Sequence, residues 1–115
     1  MEKILESTKK LLGVPSDYEE FDPDILMHIN SAFVALSQMG IGPDTGFIAD
    51  NSTTWTDFTN DQSAINILKT YIAYKVRLGW DPPSNGVHIE ALKKQIDEKE
   101  FYLRTLVDWG GAHVV

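Results

Sequence analysis

The stretch Phe21–Phe47, FDPDILMHINSAFVALSQMGIGPDTGF, decides between a nucleotide-binding enzyme and a helical building block. Its first half reads as a helix. Asp22 is placed to accept from the free N–H groups of the first turn, and Pro23 takes the first helical position, where a missing N–H costs nothing. Asp24 suits the positive end of the helix dipole. Ile25, Ile29, Phe33 and Leu36 recur at helical spacing, and Leu26 widens the stripe. The second half sets Gly40, Gly42 and Gly46 close together, as a phosphate-cradling loop would. The spacing is not that of a dinucleotide fingerprint, which also needs a strand before it and a helix after it. No lysine follows the last glycine, and neither Lys nor Arg occurs between Lys10 and Lys69. The glycines also follow a helix C-terminus, whose dipole disfavours anions. Gly40 therefore reads as a left-handed cap, Gly42-Pro43 as a break, and Gly46-Phe47 as the start of a loop.

Outward from this stretch the helical pattern continues. Ile4, Leu5, Thr8, Leu11 and Leu12 predict a short helix over 2–12, stopped by Gly13 and Pro15. Residues 41–59 hold no helical period but embed Phe47, Ile48, Trp55 and Phe58. Trp55–Phe58 is expected as one helical turn capped by Thr53 or Thr54. A loop of this length in a compact domain is often functional. Its aromatics either meet a neighbour or fold over the subunit's own core. A helix over 61–78, with Asn60 as its cap, is apolar around so much of its circumference that it should be central. Gly79 and Pro82-Pro83 end it, and Trp80 caps the core. A last helix over 85–108 carries Ile89, Leu92, Ile96, Leu103 and Leu106, interrupted by Lys99. Glu90 with Lys94 and Glu100 with Arg104 lace its wet face. The expected fold is all-α: a small bundle of four helices, about 2–12, 23–39, 61–78 and 85–108. A long loop separates the second and third, and an extended C-terminal tail follows. The organisation expected is a helical domain, 1–108, and a tail, 109–115.

The composition excludes several classes. The 115 residues carry a formal charge of −7 and no cysteine. Such a chain lacks the basic patch that grips a phosphate backbone. It has no disulfide framework, thiolate nucleophile or cysteine-built zinc site. His28, His88 and His113 show no metal-binding spacing, and the Asp24/His28 pair offers two ligands where a closed zinc site needs four. Asp97 and Glu100 are the helical carboxylate pair nearest to a Mg²⁺ motif, but Lys93, Lys94 and Lys99 crowd them, as on a solvated face. Ser31, Ser37 and Ser84 have no base nearby in sequence, and no nucleophile elbow occurs. No catalytic, cofactor-binding or metal-binding residue is expected. No apolar run approaches the roughly 20 residues of a membrane span, and the start of the chain has no hydrophobic signal core, so a cytoplasmic origin is expected.

Five segments together carry a family likeness: KKLLGVPSDY, FDPDILMHINSAFVALSQMGIGP, TWTDF, ILKTYIAYKVRLGWDPP and HIEALKKQIDEKEFYLRTLVD. In this order they resemble the head–tail connector (adaptor, head-completion) proteins of tailed bacteriophages, over roughly 2–108. The resemblance implies a non-enzymatic structural virion protein, made in the host cytoplasm and placed in the virion neck. It implies a homo-oligomeric ring, typically of twelve copies, under the portal protein. The ring would extend the DNA channel, let DNA pass without specific binding, and offer a platform to stopper or tail proteins, with no cofactor and no membrane. In similar proteins a loop makes ring contacts and the C-terminal segment reaches the portal or a neighbour. By position these become Phe47, Ile48, Trp55 and Phe58 for inter-subunit contacts, and Trp109, His113, Val114 and Val115 for the portal. Asp17, Glu19 and Glu20 are candidates for an acidic channel wall. The alternatives are a non-phage helical protein-binding module, such as a regulator or anti-host factor, and a metal-dependent hydrolase using carboxylates.

Overall fold

A computed structural model of the chain describes residues 2–110, with side chains through Thr105. It is all-α, with helices α1 (Ile4–Leu12), α2 (Asp22–Gln38), α3 (Trp55–Phe58), α4 (Gln62–Trp80) and α5 (Gly86–Gly110). The four expected helices are present, and the single turn anticipated at Trp55–Phe58 is α3. Residues 111–115, with the tail positions His113, Val114 and Val115, lie outside the described residues. The backbone of Trp109 belongs to α5, so the helix passes the expected boundary at 108.

As its wide apolar face requires, α4 is central: it packs against α1, α2 and α5. It contributes the buried Ile65, Leu68, Tyr71, Ile72 and Val76. From α2 come Ile25, Ile29, Ala32, Phe33 and Leu36, the stripe read from the sequence. The α5 seam is thinner: Ile96 and Leu103 are buried, while Ile89 and Leu92 are partly covered. Lys99, the interruption in that seam, lies over the Tyr74 ring at 5.2 Å, a cation–π contact that keeps its charge at the edge of the core. Beside it the Tyr71 hydroxyl donates to Glu100 Oε2 at 2.9 Å. Burial, and then the Glu100 charge, push the Tyr71 phenol above its usual pKa, so it stays protonated and able to donate.

Several helix ends differ from the sequence reading. α1 starts at Ile4 because Lys3 pairs with Thr54 as an isolated antiparallel bridge. α4 is capped by Asp61, not Asn60; its Oδ1 accepts from the N–H groups of Ser63 (3.0 Å) and Ala64 (3.3 Å). α4 also runs through Gly79 to Trp80. A Cβ at Gly79 would sit 2.8 Å from His28 Nδ1, so the glycine serves the close approach of α2 and α4 rather than helix termination. Gly40 is the left-handed residue that was expected, with φ +80°. The Gly40 and Ile41 N–H groups donate to the Ser37 and Leu36 carbonyls, both at 3.0 Å, closing a Schellman motif with Ile41 turned into the core.

The largest departure is at Asp22. Its carboxylate does not cap α2; it takes the ammonium of Lys9 instead, at 2.8 Å. Lys9 lies on the inward side of α1, 2% exposed, whereas Leu11, expected on that face, is half exposed. Lys9 Nζ also donates to the carbonyls of Ser16 (3.2 Å) and Tyr18 (2.6 Å), so its buried charge is met by two hydrogen bonds and an ion pair. Replacing Lys9 with Met strands Asp22 Oδ1 and two carbonyls. The expected loss is about 2–4 kcal/mol in urea unfolding, moderated by the partial exposure of Asp22. Adding Asp22→Asn to Lys9→Met should cost less than the sum of the two single changes.

Candidate assembly surfaces

The loop 41–59 is a built element. Asn30, on α2, grips it with both ends of its amide. Nδ2 donates to the Ala49 carbonyl at 3.1 Å, and Oδ1 accepts from the Ala49 N–H at 2.8 Å. Next, Asp50 Oδ1 gathers the Ser52 N–H (2.8 Å) and the Ser52 (2.8 Å) and Thr53 (3.0 Å) hydroxyls into a tight turn. The chain then meets the N-terminal segment. The Ile4 N–H donates to the Thr53 carbonyl at 2.9 Å, and the Trp55 N–H to the Glu2 carbonyl at 3.4 Å. The α3 turn is held by the Thr54 N–H donating to Asp57 Oδ2 at 2.8 Å, the return half of a capping box.

This anchoring sorts the four loop residues proposed for inter-subunit contact. Trp55 is fully enclosed in its own subunit, and its indole N–H donates to Ser7 Oγ at 2.9 Å. Phe58 is buried, and Phe47 is partly covered. With Phe33 they form a triangle of rings whose centroids lie 4.8–5.1 Å apart. Gly42 makes room for it: at φ +98°, a Cβ there would meet the Phe58 ring at 2.8 Å. Ile48, by contrast, is 83% exposed. It stands beside Val34, Ser37 and Gln38 of α2 in a shallow cleft of about 260 Å³ whose lining residues include no charged side chain.

Trp80 packs edge-on against Phe21 at 5.2 Å, and Phe21 against Tyr18 at 5.3 Å, so the tryptophan covers the end of the core. A second groove, about 370 Å³, runs between α1, α4 and α5 and is lined by residues including Leu11, Tyr74, Arg77, His88 and Leu92. His28 lies in a separate crevice with Lys75, Leu78 and Gly79, so the fold does not bring His28 and His88 together. Glu100, half of the carboxylate pair weighed for Mg²⁺, receives the Tyr71 hydroxyl. Among the described residues, no group of three or more His, Asp or Glu could hold a metal ion, and no helix is long and apolar enough to cross a membrane. Asp17, Glu19 and Glu20 are all exposed between α1 and α2.

These features define an all-α subunit whose loop is locked to its core and whose surface carries an uncharged cleft beside Ile48 and a mixed groove between α1, α4 and α5. A family model for phage connector proteins matches residues 4–108, and the chain belongs to that family. Membership makes it a structural component of the virion with a connector role. No curated protein and no solved structure matches the chain.

Asn30→Ala removes both partners of a buried backbone unit, and a loss of about 1–3 kcal/mol is expected. Hydrogen exchange should accelerate at the Ala49 amide more than in α4. The same region should respond to acid. Donation from the Ser52 N–H, the foremost cause, holds the Asp50 carboxyl below its ordinary value of 3.8. The Lys69 ammonium, 2.9 Å away, holds Glu2 below its ordinary 4.5. Lowered native values give stability that is complete above the ordinary values and lost as the pH falls through the lowered ones. Unfolding free energy should therefore decline from about pH 5 downward, with a shallower slope in Asp50→Asn and Glu2→Gln, as read by urea titrations at successive pH values.

Proposed function

We propose that the protein is a head–tail connector subunit that assembles as a ring beneath the portal, extends the DNA channel and receives the stopper or tail-completion protein. The observation that carries this reading is the connector-family match over residues 4–108, nearly the whole helical domain. The chemistry of the surface agrees with it. A domain of net charge −7 offers little to bind phosphates, so DNA can slide past it, with Asp17, Glu19 and Glu20 as candidate wall residues. A ring subunit must present two different patches, because ring contacts are heterologous. Ile48, exposed on the loop, would contribute to one of them. Trp55 and Phe58 would act indirectly, by holding the loop in shape. Residues 109–115, with Trp109, His113, Val114 and Val115, are assigned to the portal.

A phage lacking this gene product is expected to accumulate DNA-filled heads and unattached tails, and purified protein added to the lysate should restore infectivity. Unchanged plaque formation without the gene product would overturn the reading. A chain truncated before Trp109 should keep its helical circular-dichroism spectrum and fail to join heads to tails. Infectious particles assembled from it would remove the tail assignment.

A further inference from the structure

Two helix faces have no partner among the described residues. On α2, Met27, Ser31, Val34 and Gln38 line up opposite the buried stripe, and Ile48 extends that line from the loop; Met27 and Val34 are 59% and 56% exposed. On α5, Val87, Phe101 and Tyr102 face away from α4; the two aromatics are 68% and 59% exposed and stack edge-on at 6.1 Å. Both α2 and α5 pack on α4, and each of these faces lies on the side of its helix turned away from that contact.

Charge selects what can cover them. The chain holds 17 acidic and 10 basic residues, yet none of these falls between Ile25 and Pro43. The α2 face is thus uncharged in a strongly acidic molecule. The α5 face carries Lys94 and Glu98 in line with Val87 and Phe101, one charge of each sign, with Glu90, Lys93 and Asp97 exposed along its edge. Two bodies of charge −7 repel, so a contact between copies must be made through patches without net charge. Interface centres are depleted of charge and enriched in aromatics and Met, which fits both faces. A basic foreign partner would be held by the acidic surface instead. We propose that the outer face of α5, centred on Phe101 and Tyr102, docks head to tail on the Met27–Val34–Ile48 face of a second copy. The contact deepens the ring reading above, since it supplies the two unlike patches such a ring requires.

Ile48→Glu and Phe101→Glu test it, because both side chains are exposed and neither supports the core. Sedimentation of the full-length chain up to about 1 mM should show wild-type association beyond a dimer. Each variant alone should associate at least about tenfold more weakly. A mixture of the two should stop at a one-to-one dimer, because one copy keeps its α2 face and the other its α5 face. A monomeric wild type at that concentration, variants that associate like wild type, or a mixture no better than its components would each overturn the proposal. Recovery of the chain in virions is a separate readout. Its absence there, with the mixing result intact, removes the connector reading and leaves the contact standing.

Discussion

A single ammonium group organises one end of this molecule. Lys9 is drawn under the turn that joins α1 to α2, where it donates to two carbonyls of that turn and pairs its charge with the carboxylate of the first residue of α2. Burying a lysine is costly unless its charge is paired and its donors find acceptors, so the turn Ser16–Tyr18 and the start of α2 are held in one arrangement. The entry of α2 then sets how that helix lies on α4, and the α2–α4 contact brings His28 against Gly79 and Phe21 against Trp80. The aromatic triangle and the loop are built on the other end of the same helix. Much of the subunit's geometry thus traces back to a polar interaction inside an otherwise apolar bundle.

The loop repeats the strategy at the opposite end. Short polar clamps, Asn30 on Ala49 and Asp50 on its own turn, hold the backbone while Trp55 and Phe58 fill the core. A segment without helical period is thereby made part of the core, and its large exposed apolar surface is reduced to Ile48 among otherwise polar outward positions. A displayed residue on a locked backbone offers a contact of fixed geometry, which a loose strap does not.

What was legible in the sequence follows from periodicity. The helices, their order and the central place of α4 were all carried by spacings that burial enforces, and Gly40 by the left-handed cap. The connector family was legible from the same order of segments. Individual polar residues were not. Asp22 has the sequence context of a cap, and only tertiary packing shows that Lys9 claims it. Lys9 itself belongs to a Lys-Lys pair that reads as a wet face, and Asn30 looks like a neutral helix residue. Gly79 carries a stop signal that packing against His28 overrides. Trp55 could have been an interface anchor or a core residue; its pairing with Ser7, 48 positions away, is invisible to local spacing. The faces of α2 and α5 left uncovered among the described residues become meaningful only once both helices are seen to pack their other sides on α4.

The Asn30 clamp has a consequence for how this protein can diverge. It recognises the loop solely through main-chain atoms of Ala49, so it is indifferent to the side chain one position earlier. Position 48 can therefore change its chemistry across related phages with little effect on folding. The subunit separates an interior fixed by packing from a surface point that folding leaves free, so a substitution at 48 changes what the surface offers a partner without rebuilding the core.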